Sequence, residues 1–103
     1  MTNAIFYCSF NLKKETQVPK FLAAAKKLND EYISKQKGYV SWDQLNDGDT
    51  WADLVTFETM QDAKDFEAQS HNSGQLSLDY FSHLDLLSCK VHFFTVTKRH
   101  GRG

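Results

Sequence analysis

The chain has 103 residues, of which 41% are hydrophobic and 14% aromatic. This length and composition predict one globular domain over residues 1–103, with a loose tail at 98–103. The formal net charge of −1 gives no sign of a basic surface and argues against a nucleic-acid partner. No apolar run approaches the roughly 20 residues that span a bilayer, and the N-terminus has no signal-peptide pattern, so we expect a cytoplasmic protein without membrane contact.

The first two predicted elements are a strand and a helix. Alternating apolar residues predict the strand over Ala4–Leu12, with one face fully apolar and the other mixed. Apolar residues three and four apart then predict a helix over residues 18–33, with Thr16 as its N-cap and Gly38 as the residue that ends it. The apolar face of the strand is expected to pack against helices.

The middle of the chain predicts a hairpin. Residues 39–45 and Trp51–Phe57 are expected to be two strands joined by a polar turn. The turn, residues 46–49, contains an Asp-Gly pair, and this pair supplies the positive φ that a tight hairpin needs.

A second helix, an interruption and a last strand follow. Thr59 is predicted to cap the helix. Poor helix formers predict an interruption at 70–75, and residues 76–84 then predict another turn or two of helix. The final strand is predicted over residues 89–97.

The element order β-α-β-β-α-β predicts an α+β fold of the ferredoxin-like type. Its sheet is expected to have four antiparallel strands in the order 4-1-3-2, with both helices on one face. The other face would leave Ile5 and Tyr7 in water, so we expect a homodimer in which two such sheets close on each other into a barrel-like core. A monomer with a wet, mixed sheet face is the alternative.

The two cysteines, Cys8 and Cys89, fall in the predicted first and last strands. In a reducing compartment they are expected to be small buried hydrophobes. Pairing the centres of those strands would separate the cysteines by several residues along the ladder, beyond the reach of a disulfide. No cysteine or histidine spacing predicts a metal site.

Two stretches carry a resemblance to a known family. Residues 37–42 read Lys-Gly-Tyr-Val-Ser-Trp and lead into the hairpin, and residues 51–63 resemble a third strand passing into a second helix. Together with the element order, they make the chain similar to the dimeric α/β-barrel superfamily, and within it to the antibiotic biosynthesis monooxygenase-like proteins. The resemblance implies a single domain of that type, a homodimer and a small-molecule ligand.

The activity implied by the resemblance is cofactor-independent oxygenation of a small aromatic or polyketide-like compound. Such a substrate can itself pass an electron to oxygen, so the protein supplies shape and a proton acceptor, and no cofactor is expected. A non-catalytic small-molecule binding module and an isomerase or dehydratase on the same fold are the alternatives.

The chain also departs from the family pattern. Phe57 stands where many members have Trp, and Glu67 stands where many have His. The haem-degrading branch uses Asn, Trp and His at positions that align best with Cys8, Glu67 and Ser77. None of these three can replace the family residue chemically, so haem degradation is not expected.

His92 is the predicted catalytic base, because it interrupts an apolar strand and a half-buried imidazole titrates near neutral pH. His71, in the helix interruption near a possible pocket mouth, is the second candidate. A buried, neutral, hydrogen-bonded His92 and an exposed His71 are the alternatives. Asp43 and Asp53, on paired strands, are candidates for facing carboxylates, although solvated charges near the hairpin end are the favoured interpretation.

The predicted substrate pocket lies between the sheet and the helices. Five aromatic residues are expected to line it, namely Phe10, Tyr32, Trp42, Phe66 and Tyr80. The alternative is that these aromatic side chains are plain core.

Overall fold

The computed structural model describes residues 3–69 and 74–101. Its strands are β1 (Ala4–Leu12), β2 (Tyr39–Asn46), β3 (Trp51–Phe57) and β4 (Leu84–Thr95), and its helices are α1 (Val18–Glu31), α2 (Met60–Ala68) and α3 (Gln75–Phe81), with a short 3₁₀ turn over Ile33–Lys35. Most of the predicted interruption at 70–75 lies outside the described residues. None of the described helices is long and apolar enough to cross a membrane.

The four strands form one antiparallel sheet in the order β2-β3-β1-β4. This is the predicted order 4-1-3-2 counted from the other edge, so the predicted fold class is confirmed. The central strands β1 and β3 pair from Ala4 opposite Phe57 to Phe10 opposite Trp51. Since residues directly opposite each other point to the same face, this register decides which side chains of β3 join the core.

The helices cover one face of the sheet, and the core lies between the two layers. Alternate residues of the central strands and the apolar stripes of the helices are fully buried there, including Ala4, Phe10, Val55 and Phe57 from the sheet and Phe21, Ala25, Leu28 and Ala63 from the helices. The rings of Phe10 and Phe21 meet edge to face at 6.1 Å and join α1 to the sheet.

The second sheet face, here called the open face, is formed by Ile5, Tyr7, Leu54, His92 and Phe94 together with their polar neighbours. Strand register places Tyr7 opposite both Leu54 and His92, and Ile5 opposite Phe94. The ring of Phe94 packs against Tyr7 at 6.1 Å, yet its side chain remains 51% exposed. The open face is therefore apolar and aromatic while facing away from the helices.

The first helix begins at the predicted residue 18, but its predicted N-cap and its predicted end are wrong. α1 has Gln17 at its N-cap position, and the Thr16 hydroxyl instead donates to the carbonyl oxygen of His83 at 3.1 Å. At the other end α1 stops at Glu31, and the 3₁₀ turn follows. Gly38 does not end the helix but precedes β2, with φ of 78°. A side chain there would collide with the carboxylate of Asp62, so packing as well as backbone conformation requires glycine.

The last strand differs most from its predicted span. β4 begins at Leu84, within the predicted helix over residues 76–84, and ends at Thr95. Its ladder with β1 is broken by a bulge: Ser9 pairs with Lys90, but Asn11 pairs with Asp85. A bulge changes the direction of the side chains without ending the strand. The alternating pattern of β4 is therefore interrupted at the bulge, and the strand begins earlier than that pattern predicts.

The hairpin and the second helix cap are confirmed. β3 has its predicted span, β2 ends one residue later than predicted, at Asn46, and the turn over residues 47–50 contains Gly48 with φ of 105°. The Thr59 hydroxyl accepts a hydrogen bond from the backbone N–H of Asp62 at 3.0 Å, as an N-cap does.

Candidate functional site

A cavity of about 310 Å³ lies between the sheet and the helices. Its walls are mainly apolar and aromatic, with contributions from every strand and helix of the fold, among them Phe6, Leu28, Ile33, Val55, Phe81 and Leu84. Of the described lining residues, the only charged ones are Asp53 and Glu67. Because no described cation lines it, the cavity suits a neutral or cationic ligand with a large apolar surface.

Asp53 is a buried carboxyl group in the wall of this cavity. It lies on β3 beside Val55, faces the helices and is only 8% exposed. Its Oδ1 accepts a hydrogen bond from Trp42 Nε1 at 3.2 Å, and its Oδ2 accepts one from the Tyr80 hydroxyl at 2.7 Å. Each carboxylate oxygen has a second lone pair, so Asp53 can still accept a proton or a hydrogen bond from a ligand.

Burial raises the pKa of Asp53 from its ordinary 3.8 to about 7. The hydrogen bonds from Tyr80 and Trp42 favour the charged carboxylate and lower the pKa, but they do not outweigh the loss of water. A carboxyl group with a pKa near 7 is half ionised at neutral pH and can both take up and release a proton. Perturbed groups of this kind in a cavity are typical of functional sites.

Tyr80 holds Asp53 and stays protonated. Burial, followed by the negative charge of Asp53, raises the pKa of the Tyr80 hydroxyl well above its ordinary value, so the group acts as a hydrogen-bond donor. Its ring stacks on Phe21 at 5.3 Å and meets Trp42 edge to face at 5.6 Å. Gln44, the partner of Asp53 in the ladder, lies close to this hydroxyl, but its buried amide nitrogen has no hydrogen-bond partner in the described part of the chain.

The predicted aromatic residues divide into two groups. Tyr32, Trp42 and Phe66 line the cavity. Phe10 and Tyr80 do not line it, because both are buried behind the wall and pack against Phe21. The Tyr32 hydroxyl donates to the carbonyl oxygen of Gln69 at 2.9 Å, so this group ties the end of α1 to the end of α2.

The expected position of His92 is wrong. It lies opposite Tyr7 on the open face, is exposed, and does not line the cavity. The reason is the period of two along a strand: the neighbouring Val91 lines the cavity, so His92 must point to the other side of the sheet. His71 lies outside the described residues.

The two aspartates of the hairpin do not face each other. Asp43 pairs with Leu54 and is exposed, whereas Asp53 pairs with Gln44 and points into the cavity. The favoured interpretation of Asp53 as a solvated charge is therefore wrong. The sequence contains one signal for this position, because Asp53 shares a strand face with the apolar residues Val55 and Phe57. An aspartate on a buried face is almost always paired with another polar group.

The expected separation of the cysteines is also wrong. Cys8 pairs with Val91, so Cys89 lies two residues away along β4 on the same face, and both thiols line the cavity. Both are free cysteines. Among the described residues, no group of three or more His, Cys, Asp or Glu side chains could hold a metal ion.

Solved structures with the same fold include several monooxygenases. ActVA-Orf6 of Streptomyces coelicolor, a monooxygenase in complex with nanaomycin D, has a TM-score of 0.74 at 17% identity, over 99% of this chain and 94% of that chain. SnoaB of Streptomyces nogalater, a cofactor-independent oxygenase in a mutant form, has a TM-score of 0.73 at 11% identity, over 94% and 95%. A Bordetella bronchiseptica protein assigned to the antibiotic biosynthesis monooxygenases has a TM-score of 0.73 at 11% identity, over 91% and 96%.

No protein-family model and no curated protein sequence matches the chain. At identities of 11–17%, the structural likenesses concern the fold. The chain has the ferredoxin-like fold of the antibiotic biosynthesis monooxygenase-like proteins, as the resemblance implied.

Proposed function

We propose that the chain is a cofactor-independent monooxygenase that acts on a small, electron-rich phenol or hydroquinone. The observation that carries this proposal is Asp53, a buried carboxyl group in an apolar cavity, whose pKa of about 7 suits a general base at neutral pH. Asp53 takes the role first given to His92. Tyr32, Trp42 and Phe66 shape the cavity for a flat ring.

The chemistry needs only a base, a shaped cavity and oxygen. The Asp53 carboxylate takes the proton of a ring hydroxyl, and the resulting phenolate passes one electron to O2. The two radicals combine in a new carbon–oxygen bond on the ring. Cleavage of the O–O bond and loss of the ring hydrogen then leave a quinone, and the second oxygen atom departs as water with the proton held on Asp53.

The fold comparisons support this proposal. Two of the structures with this fold are a monooxygenase in complex with nanaomycin D and a cofactor-independent oxygenase. The cavity is consistent with a neutral aromatic ligand, because its described lining carries two carboxylates and no cation. An anionic substrate would be repelled there, since like charges at short range disfavour each other in a dry site.

Oxygen consumption tests the proposal. The purified chain is mixed with naphthols, naphthohydroquinones and benzene hydroquinones under isotopically labelled oxygen gas. We expect oxygen uptake above spontaneous oxidation and one labelled oxygen atom in the quinone product. Uptake no faster than in buffer, for every compound, would contradict a monooxygenase.

The same carboxyl group also fits a second function. A base with a pKa near 7 can move a proton at a carbon next to a carbonyl group, which is what an isomerase or a dehydratase needs. In that case labelled solvent hydrogen, rather than labelled oxygen, enters the product. Binding of the same compounds without any product would favour a non-catalytic binding module.

We also propose that the open face pairs with a second copy of the chain. An exposed aromatic and apolar sheet face is typical of a protein interface, and the net charge of −1 opposes self-association only weakly. A second copy offers the same apolar face, and pairing would bury Tyr7, His92 and Phe94 together.

Replacing Phe94 with Asp should dissociate this homodimer. A buried charge at the centre of an interface costs about 2 kcal/mol or more, so the dissociation constant should rise at least roughly 30-fold. Leu78, on α3 and 63% exposed, provides the matched control, and Leu78→Asp should leave the assembly unchanged. The measurement is sedimentation velocity at micromolar concentration. A well-folded single subunit of the unmodified chain would rule out the homodimer.

A further inference from the structure

The two cysteines of the chain meet inside the cavity. Cys8, on β1, is 9% exposed, and Cys89, on β4, is partly buried. The two thiols are close enough for a side-chain hydrogen bond between them. Each also lies near a backbone carbonyl oxygen, that of Ser9 at 3.9 Å and that of Asp85 at 4.0 Å.

The ladder between β1 and β4 is irregular beside Cys89. On a regular ladder, a diagonal pair such as Cys8 and Cys89 has Cα atoms roughly 7–8 Å apart, slightly beyond the separation of a disulfide. Here the ladder is interrupted directly beside the pair. Residues 86–89 of β4 lie opposite the single residue Phe10, because pairing jumps from Ser9 with Lys90 to Asn11 with Asp85. Closing a disulfide therefore requires a backbone shift at the bulge, where the regular ladder is already interrupted.

We propose that Cys8 and Cys89 form a redox-active dithiol, which a hydroperoxide entering the cavity oxidises to an intramolecular disulfide. The apolar lining of the cavity favours an organic hydroperoxide over a charged oxidant. Neither the fold nor the proposed oxygenation requires this pair, so the inference is independent of the proposed function.

Cys89 is the sulfur that attacks. It is the less buried of the two. Burial raises the pKa of the Cys89 thiol as well, but a hydrogen bond from Cys8 opposes that rise, so Cys89 forms a thiolate more readily than Cys8 does. Burial raises the pKa of Cys8 to about 12, which keeps Cys8 protonated and able to donate. The Cys89 thiolate attacks the peroxide, so that an S–O bond forms, the O–O bond breaks and an alcohol leaves.

The second step closes the disulfide. The Cys8 sulfur attacks the Cys89 sulfenic acid, the S–S bond forms, the S–O bond breaks and water leaves with the Cys8 proton. In sum, the two thiols lose two electrons and the peroxide is reduced to an alcohol and water. Cys8 is the ladder partner of Asp53, so oxidation changes the cavity wall beside the carboxylate.

Thiol counting after peroxide treatment tests the dithiol. The chain contains only two cysteines, so the modification can be assigned by mass alone. Treatment of the full chain with cumene hydroperoxide should reduce the number of alkylatable thiols from two per chain to none, with loss of two hydrogen atoms and no dimer on a non-reducing gel. Dithiothreitol should restore both thiols.

Single substitutions separate the roles of the two sulfurs. In Cys8→Ala, Cys89 should form a sulfenic acid that dimedone traps, with no intramolecular disulfide. In Cys89→Ala, Cys8 should react at least roughly 10-fold more slowly, because its thiolate is scarcer. Equal reaction rates in the two variants, or a wild-type chain that yields sulfinic acid or intermolecular disulfides, would overturn the proposal.

Discussion

Replacing Asp53 with Asn should lower kcat/KM by about 10²–10⁴-fold, which is the usual contribution of a general base. The amide keeps both hydrogen-bond partners, since its oxygen accepts from Trp42 Nε1 and its nitrogen donates to the Tyr80 hydroxyl. The loss therefore reports the missing proton acceptor rather than a collapsed site. In the unmodified chain, activity should rise with pH and level off above about pH 7, because the base must be ionised.

The same substitution should make the protein more stable at pH 8. Asp53 has a pKa of about 7 when folded against an ordinary 3.8, so the folded chain holds the proton more tightly than the unfolded chain. The stability that this provides is fully present below about pH 4 and is lost as the pH rises toward 7. The loss amounts to about 4 kcal/mol, and Asp53→Asn should recover most of it.

Urea unfolding at pH 4 and pH 8 measures this effect. Asp49, exposed in the hairpin turn and outside both the cavity and the open face, is the control. Asp49→Asn should change neither activity nor the pH dependence of stability. Full activity in Asp53→Asn would show that Asp53 is not the base. An unaltered pH dependence of the unfolding free energy in this variant would show that burial does not raise the pKa of Asp53.

The second large effect is expected for Phe21→Ala, which should cost about 3–5 kcal/mol of unfolding free energy. Phe21 has no exposed surface, and its ring contacts the rings of Phe10, Trp51 and Tyr80. Removing it leaves a cavity that the rigid aromatic neighbours cannot fill. Tyr80 also loses its stacking partner, so the hydrogen bond to Asp53 should loosen.

Leu22, the next residue on α1, is 40% exposed and provides the comparison. Leu22→Ala should cost no more than about 1 kcal/mol, because a large share of the residue already contacts water in the folded chain. The two variants are compared by urea denaturation under identical conditions. Similar losses for both would mean that Phe21 is not at the centre of the core.

The proposed site depends on residues that are far apart in the chain. Trp42, Asp53 and Tyr80 come from β2, β3 and α3 and meet within hydrogen-bond distance. The sequence shows that Asp53 is a charged residue on an otherwise apolar strand face. Only the packing of the helices shows that water is excluded from it. The raised pKa of Asp53 follows from that exclusion, and so does its proposed role as a base.

The sequence by itself determined the order of the elements, the strand order of the sheet and the hairpin at Gly48. The elements and the hairpin follow from local rules: a period of two in strands, a period of three to four in helices and the conformational freedom of Gly48. The strand order follows from the element order, because crossover connections are right-handed. Tertiary structure decided the face of His92, the burial of Asp53 and the meeting of Cys8 with Cys89. The bulge in β4 sets the register against β1, and register depends on the pairing of distant segments, which no local pattern contains.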